Sequence, residues 1–420
     1  MMSLKKRILA ALLCLAVLLP AAAMSGCTHI SADNLSEGIM PGEVTGKKTD
    51  RTFEESSADF ALKLFRATAR GEENALVSPL SVMLALAMTT NGAKGETKAQ
   101  MEALLGGGMD IEDLNGYLYT YMKSLPSSEK AKLALANSVW FRDTESLDVR
   151  AAFLQKNADY YSADVYKAPF DKKTCDDINR WIEENTDGMI KKMLDSIDDD
   201  AVMYLINTVL FDAEWQNVYS SEDKIRDGLF TTADGKRRNV TMMHSDETNF
   251  IDDGKATGFI KPYKDGYSFA AFLPNEGVSL DSYLDSMTGA GFLAAVKGAK
   301  KETVIAAMPK FEYGYKTTMN DILKSLGMTV PFDKEKADFS DLAVSSYGNI
   351  YIGQVIHQTY ISVGEKGTRA GAATIVEMDG EAAPSEVDYH TVTLDRPFVY
   401  AIIDNATGLP IFIGTVTDIG

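Results

Sequence analysis

Cysteine is nearly absent: three in 420 residues. Cys14 falls inside an apolar run near the amino terminus and Cys27 just beyond it, so Cys175 stands alone in the body of the chain. A disulfide framework is thereby excluded and stability rests on an apolar core. Isolated in this way, Cys175 reads as a packing residue rather than a nucleophile. Histidine is almost as scarce, with only His29, His244, His357 and His390. None belongs to an HExxH pattern, and no GxSxG elbow, phosphate-binding GxxxxGK[ST] loop or CxxC pair occurs. The sequence therefore offers no catalytic residue, no metal-ligand set and no cofactor motif, and it reads as a protein that is not an enzyme. Positive charge is in deficit as well, 42 basic against 60 acidic residues for a net of −18. Such a surface argues against nucleic acid as a partner and against electrostatic adhesion to anionic lipid.

What is present begins with an export signal. Lys5, Lys6 and Arg7 precede an unbroken apolar run from Ile8 to Leu19, ended by Pro20. Twelve residues are too few to span a bilayer comfortably. Met24-Ser25-Gly26-Cys27 then resembles a bacterial lipobox, in which cleavage before the cysteine leaves its thiol to carry a lipid. The alternative is ordinary secretory cleavage near Ala23. The expected layout is a signal peptide over 1–26, a flexible Ser/Gly/Thr/Asp-rich tether over 27–51, and one domain over 52–420. The protein is expected outside the cytoplasm, lipid-anchored through Cys27 on the outer face of the cytoplasmic membrane or the cell surface, or else secreted.

Within the domain, Phe60, Leu64 and Ala67, with Ala61, Phe65 and Ala69, recur at helical spacing. Ser78-Pro79 opens a second helix, Ser as N-cap and Pro at the first helical position. Val82 to Met88 is apolar on nearly every face, which predicts full burial. Asn91-Gly92 ends that helix, and Thr97 to Leu105 forms another. Strands dominate later. Ala201 to Leu210 is a nearly continuous apolar run, as in a strand covered on both faces. Val304, Ala306 and Met308 alternate, as do Phe311, Tyr313 and Tyr315. Phe398–Ile403 and Leu409–Val416 flank a turn and predict a hairpin. Helices early and strands late give an α+β fold with a large, mostly antiparallel sheet.

One segment looks mechanical. From Gly367 to Thr374 every residue except Arg369 is Gly, Ala or Thr. A segment that slides between two strands of an existing sheet must pass their side chains, so bulk at its leading positions would clash, while Gly supplies a pivot. After such insertion Thr368, Ala370, Ala372 and Thr374 would share one face.

This stretch resembles the proximal hinge of an inhibitory serpin, and other motifs agree in family order. They are Asn74-Ala75-Leu76-Val77-Ser78-Pro79-Leu80-Ser81, Asn91-Gly92-Ala93-Lys94-Gly95-Glu96-Thr97, Asn137-Ser138-Val139-Trp140-Phe141, and Ile178-Asn179 with Trp181. Thr186-Asp187-Gly188, Ile206-Asn207 with Trp215, Met308-Pro309-Lys310-Phe311, Ile356-His357 and Asp395-Arg396-Pro397-Phe398 complete the set. The resemblance covers residues 53–418. It implies a serpin fold, eight or nine helices on three β-sheets, with an exposed reactive-centre loop. It further implies a monomer that acts as a suicide inhibitor: a serine or cysteine protease cuts the loop as bait, and the loop inserts into the main sheet with the enzyme still attached. On this reading Glu365, Gly367, Thr368, Arg369, Ala370, Gly371, Ala372, Ala373 and Thr374 form the hinge. Ser78, Ser81, Asn207 and His357 form the shutter that holds the sheet closed, and Trp215 marks the breach where insertion begins. Counting sixteen residues from Glu365 places the bait bond at Glu381-Ala382, with Ala383 and Met378 as alternatives. The implied target is a glutamyl-specific protease or, one or two residues along, an elastase- or subtilisin-like enzyme. Two departures from the family pattern stand out, Arg369 where Glu is usual, and Gly364 where a larger polar residue is commoner. The second predicts extra hinge flexibility. A serpin-fold binding protein that traps no protease is the competing expectation.

Overall fold

A computed structural model describes residues 30–144, 146–198, 201–346, 348–368 and 389–419. The main sheet has the spatial order β1 (Asp33–Asn34), β5 (Asp164–Ala168), β3 (Ala131–Arg142), β6 (Met203–Glu214), β16 (Gly367–Thr368), β15 (Gln354–Gly364) and β13 (Phe311–Thr318). Its pairings are antiparallel except β3 with β5 and β6 with β15. A second sheet runs β2 (Ala75–Val77), β19 (Pro410–Val416), β18 (Phe398–Asp404), β11 (Tyr267–Pro274), β10 (Ala256–Pro262), β9 (Phe250–Asp252). A third runs β17 (Tyr389–Thr393), β12 (Thr303–Pro309), β8 (Arg237–Glu247), β7 (Ile225–Thr231), and β14 (Ala343–Val344) pairs with β4 (Asp148–Val149). The expected α+β class, with three main sheets and a large, mostly antiparallel one among them, is the architecture observed.

Early helices follow from sequence chemistry. Helix α1 (Arg51–Thr68) starts where the Asp50 carboxylate accepts the Phe53 N–H at 3.0 Å, and it buries Phe53, Phe60, Leu64 and Phe65. Helix α2 (Pro79–Thr90) is buried at every residue and packs on β19, β6 and β3. Its apolar character all round, which leaves no solvent face, is what places it beneath the main sheet. Pro79 stands at the first turn as expected, yet the Ser78 hydroxyl makes no cap. Helix α3 (Gly95–Gly106) ends in a left-handed Gly107, the residue type that closes such a turn without a β-carbon clash. Next come α4 (Ile111–Ser124), α5 (Ala151–Tyr161) and α6 (Lys172–Asn185); Leu280–Ser286, Gly289–Lys297 and Asn320–Ser325 are α7, α8 and α9. Cys175 is buried in α6, its thiol 3.5 Å from the Leu194 carbonyl.

The tether expectation needs correction from Ala32 onward. Asp33 and Asn34 lie antiparallel to Lys167 and Tyr166 on the edge strand β5, and the Leu35 N–H donates to the Val165 carbonyl at 2.7 Å. Further on, the Gly42 N–H donates to Asp159 Oδ1 at 2.7 Å, the Lys47 N–H to the Gly116 carbonyl at 2.9 Å, and the Lys47 ammonium pairs with Asp113 at 3.1 Å. The compact unit accordingly begins at Ala32 rather than at 52. Linker-like composition misleads here because attachment runs through backbone groups and polar contacts. An edge strand with unpaired N–H and C=O groups accepts almost any extended partner.

Candidate functional site: the split in the main sheet

Strand β6 has one uninterrupted neighbour and one interrupted one. Against β3 it pairs without a break from Met203 with Phe141 to Ala213 with Ala131. On its other edge, Tyr204–Asn207 runs parallel to Gln354–His357 of β15. At the far end, Ala213 and Glu214 pair with Thr368 and Gly367, which also pair with Val363 and Gly364. Between these points Thr208–Asp212 and Gln358–Ser362 form no ladder with one another. The sheet is thus closed at one end and parted at the other, with two residues of a further strand wedged into the gap. Thr208 Oγ1 and Gln358 Oε1, which lie along that stretch, are buried without a hydrogen-bond partner among the described residues.

At the closed end, the buried imidazole of His357 accepts the Ser78 backbone N–H at Nε2, 3.1 Å away. That bond requires Nε2 to be unprotonated and puts the ring proton on Nδ1, which has no partner among the described residues. Burial with no compensating charge lowers the His357 pKa to about 4. Asn207 is the ladder partner of His357, and its amide donates to Asn137 Oδ1 across on β3. Three strands and the start of α2 therefore meet through four polar side chains or amides. The hydroxyls of Ser78 and Ser81 are buried and unbonded among the described residues. Buried polar groups without a partner weaken a junction compared with an apolar one.

At the open end, the chain turns back from β15 through Glu365 and Lys366 into β16. Five groups fix that turn. The Trp215 N–H donates to the Lys366 carbonyl at 2.8 Å and the Tyr219 N–H to the Glu365 carbonyl at 3.0 Å. The Trp215 indole N–H donates to the Gly364 carbonyl at 2.8 Å, and the Lys310 ammonium to Glu365 Oε1 at 2.7 Å. The Tyr263 hydroxyl meets the Thr368 hydroxyl. Trp215 is fully buried, stacked on Tyr263 with centroids 4.2 Å apart and edge-on to Phe269.

A sheet already parted, with the first residues of an extra strand held between its central members, is the arrangement that decides the comparison with known proteins. The family model described as Serpin (serine protease inhibitor) matches residues 55–419. The chain belongs to the serpin family. Human neuroserpin is 30% identical over 392 residues, covering 88% of this chain and 92% of its own. Among solved structures, the thermophilic serpin tengpin in its native state is 50% identical, with a TM-score of 0.89 over 92% of this chain and 100% of that one. The same protein in its latent state is 49% identical, with a TM-score of 0.79 over 90% of this chain and 100% of that one. The higher score with the native form agrees with a sheet that is parted rather than filled.

Of the residues expected in the serpin site, the fold joins Ser78, Asn207 and His357 directly, and puts Ser81 in the next turn of α2. Trp215, Glu365, Gly367 and Thr368 meet at the open end. Arg369, Ala370, Gly371, Ala372, Ala373, Thr374, Met378, Glu381, Ala382, Ala383 and Cys27 lie outside the described residues. Sequence reading missed Asn137 as the partner of Asn207, and Tyr219, Tyr263 and Lys310 as partners of the hinge. Lys310 sits within the Met-Pro-Lys-Phe motif and was within reach. The tyrosines carry no local signal, because register between distant strands creates their contacts. The expected looseness at Gly364 is offset by its pairing with Gly367 and by the bond from Trp215.

Proposed function

We propose that this serpin is a single-use covalent protease trap. A protease attacks the bait bond, expected at Glu381-Ala382, and its nucleophile forms an ester or thioester with the loop, releasing the new amino terminus. Residues after Thr368 then zip between β6 and β15 before water reaches the acyl bond, carrying the enzyme across the molecule. What supports this reading is the split itself, already primed by Gly367 and Thr368 in register with both strands. Each backbone hydrogen bond gained on insertion contributes about 1 kcal/mol net, with burial of Thr and Ala side chains added. The target follows the residue at the bait, a glutamyl-specific enzyme for Glu381 or an elastase- or subtilisin-like one for Ala382 or Ala383. Export and lipid attachment at Cys27 belong to the same proposal, supported by the basic, apolar and Met-Ser-Gly-Cys segments of the amino terminus. They place the trap where foreign or secreted proteases are met.

The test mixes the protein with a glutamyl endopeptidase, elastase, subtilisin and trypsin, and boils each mixture in detergent. One enzyme should give a band at the summed mass, and mass spectrometry of the released carboxy-terminal peptide should begin at Ala382. Cleavage by all four with no stable adduct points instead to a serpin-fold binding protein. For the anchor, Cys27→Ser should move the protein from the membrane fraction to the medium; unchanged fractionation removes lipidation from the account.

A further inference from the structure

Directly beneath the open end of the sheet lies a charge pair that the trapping mechanism leaves unused. Lys261, at the end of β10, places its ammonium 2.8 Å from Glu247 Oε1 at the end of β8. Their side chains are only 2% and 6% exposed. The same carboxylate oxygen accepts the Ser245 hydroxyl at 2.7 Å, and Ser245 Oγ is 3.4 Å from the Tyr219 hydroxyl. The ammonium also sits 4.5 Å from the centre of the Tyr219 ring and 5.5 Å from that of Trp215. Lys261 is therefore a dry cation held between a carboxylate and the two aromatic side chains whose backbone N–H groups grip the hinge.

The segment from Trp215 to Tyr219 belongs to no strand or helix, and its position depends on what it touches. The Gln216 N–H donates to the Pro262 carbonyl at 3.0 Å, and Trp215 bridges to Tyr263, so the segment rides on the two residues following Lys261. An apolar pair in place of Lys261 and Glu247 would hold the second and third sheets together equally well, since burying two charges costs much of what their attraction returns. What an apolar pair would not supply is direction. A cation fixed by a carboxylate attracts the faces of two rings from one point, and so sets where both rings, and their backbone donors, stand.

We propose that the Lys261–Glu247 pair is a positioning element for loop insertion: it holds the Trp215–Tyr219 segment against residues 364–366, and so keeps the first turn of the inserting hairpin preformed. This rests on the trapping mechanism proposed above. Insertion competes with hydrolysis of the acyl bond, and a preformed turn shortens its slowest stage, because closing the hairpin precedes every later bond. Without the pair, the turn forms only transiently, and more encounters end in a cut, released inhibitor.

The experiment compares the unaltered protein with Lys261→Met, which removes the cation, and with Lys261→Met/Glu247→Gln, which leaves no lone buried charge. Amide hydrogen exchange is followed by mass spectrometry in peptides covering 215–219 and 364–368, and in control peptides from β10 and β11. The expected result is at least tenfold faster exchange in the two hinge-clamp peptides of both variants, with the controls unchanged. The number of inhibitor molecules consumed per protease trapped should rise several-fold. Unchanged exchange at 215–219, or an equal increase in the β10 and β11 controls, overturns the proposal; the second outcome makes the pair a general brace. An unaltered protein that traps no protease would defeat the trapping mechanism instead, and the exchange data would still decide whether the pair holds the clamp.

Discussion

A β-carbon added at Gly367 would lie 2.0 Å from the Ala213 carbonyl oxygen, inside the backbone of β6. At Gly364 the nearest atom would be Lys310 Cε at 3.9 Å, an ordinary contact. Only the first glycine, the expected hinge residue, is demanded by its surroundings; the second, a departure from the family pattern, is not. Gly367→Ala is expected to lower stability toward urea by about 1–3 kcal/mol, by pushing β16 off β6. Gly364→Ala should change it by less than about 0.5 kcal/mol. Equal effects would mean that β16 is not seated where it is described. His357 gives a second expectation. Its pKa lies near 4 in the fold, against about 6.5 in an unfolded chain. Above about pH 6.5 the ring is neutral in both states, and as pH falls from there toward 4 only the unfolded chain takes up the proton. Stability should therefore decline across that window, by about 3 kcal/mol from this residue alone. His357→Gln, which keeps an acceptor for the Ser78 N–H, should remove that part of the decline. An unchanged slope in urea titrations at pH 7 and pH 4.5 would contradict the assignment.

Elements whose side chains announce their surroundings were readable before any coordinates. Helix α2 is apolar on every face and is buried on every face. Strand β12 alternates over its first half, Val304 and Ala306 buried around an exposed Ile305, and is buried throughout from Ala306 to Pro309. The hairpin of β18 and β19 follows from two apolar runs around one turn. Elements that depend on backbone pairing alone were not readable. Strands β1 and β16 are two residues each, too short for any period, and register with a neighbour creates both. For the same reason the expected hinge was marked by its small residues, whereas Tyr219 and Tyr263, which hold its first residues, carried no mark. The polar junction around His357 was legible only through a family motif, since one histidine, one asparagine and two serines carry no pattern of their own. Strand β1 is testable as an element. Removing the chain through Met40 takes away the pairing with β5 and the Leu35 bond, and should lower the melting temperature by a few degrees. No change in calorimetry would return residues 32–40 to the tether first expected.

For the molecule as a whole, the proposed trap requires that the parted sheet is not the arrangement of lowest free energy available to the chain. A fold held short of its optimum persists by a barrier rather than by equilibrium stability. On that proposal the barrier lies in the polar junction around His357 at one end of β6, while the clamped turn at the other end holds the first residues of the inserting strand ready. In the proposed trap, cutting the loop severs its hinge side from β17 and lets the gap close around a complete strand. The most direct measurement is the melting temperature of the intact protein beside that of protein nicked between residues 375 and 385 by limited proteolysis. Completed insertion should raise the transition by roughly 10–20 °C, the change about ten or more new strand bonds would give in a domain of this size. A nicked protein that melts at the same temperature as the intact one, or below it, would contradict insertion and with it the trap.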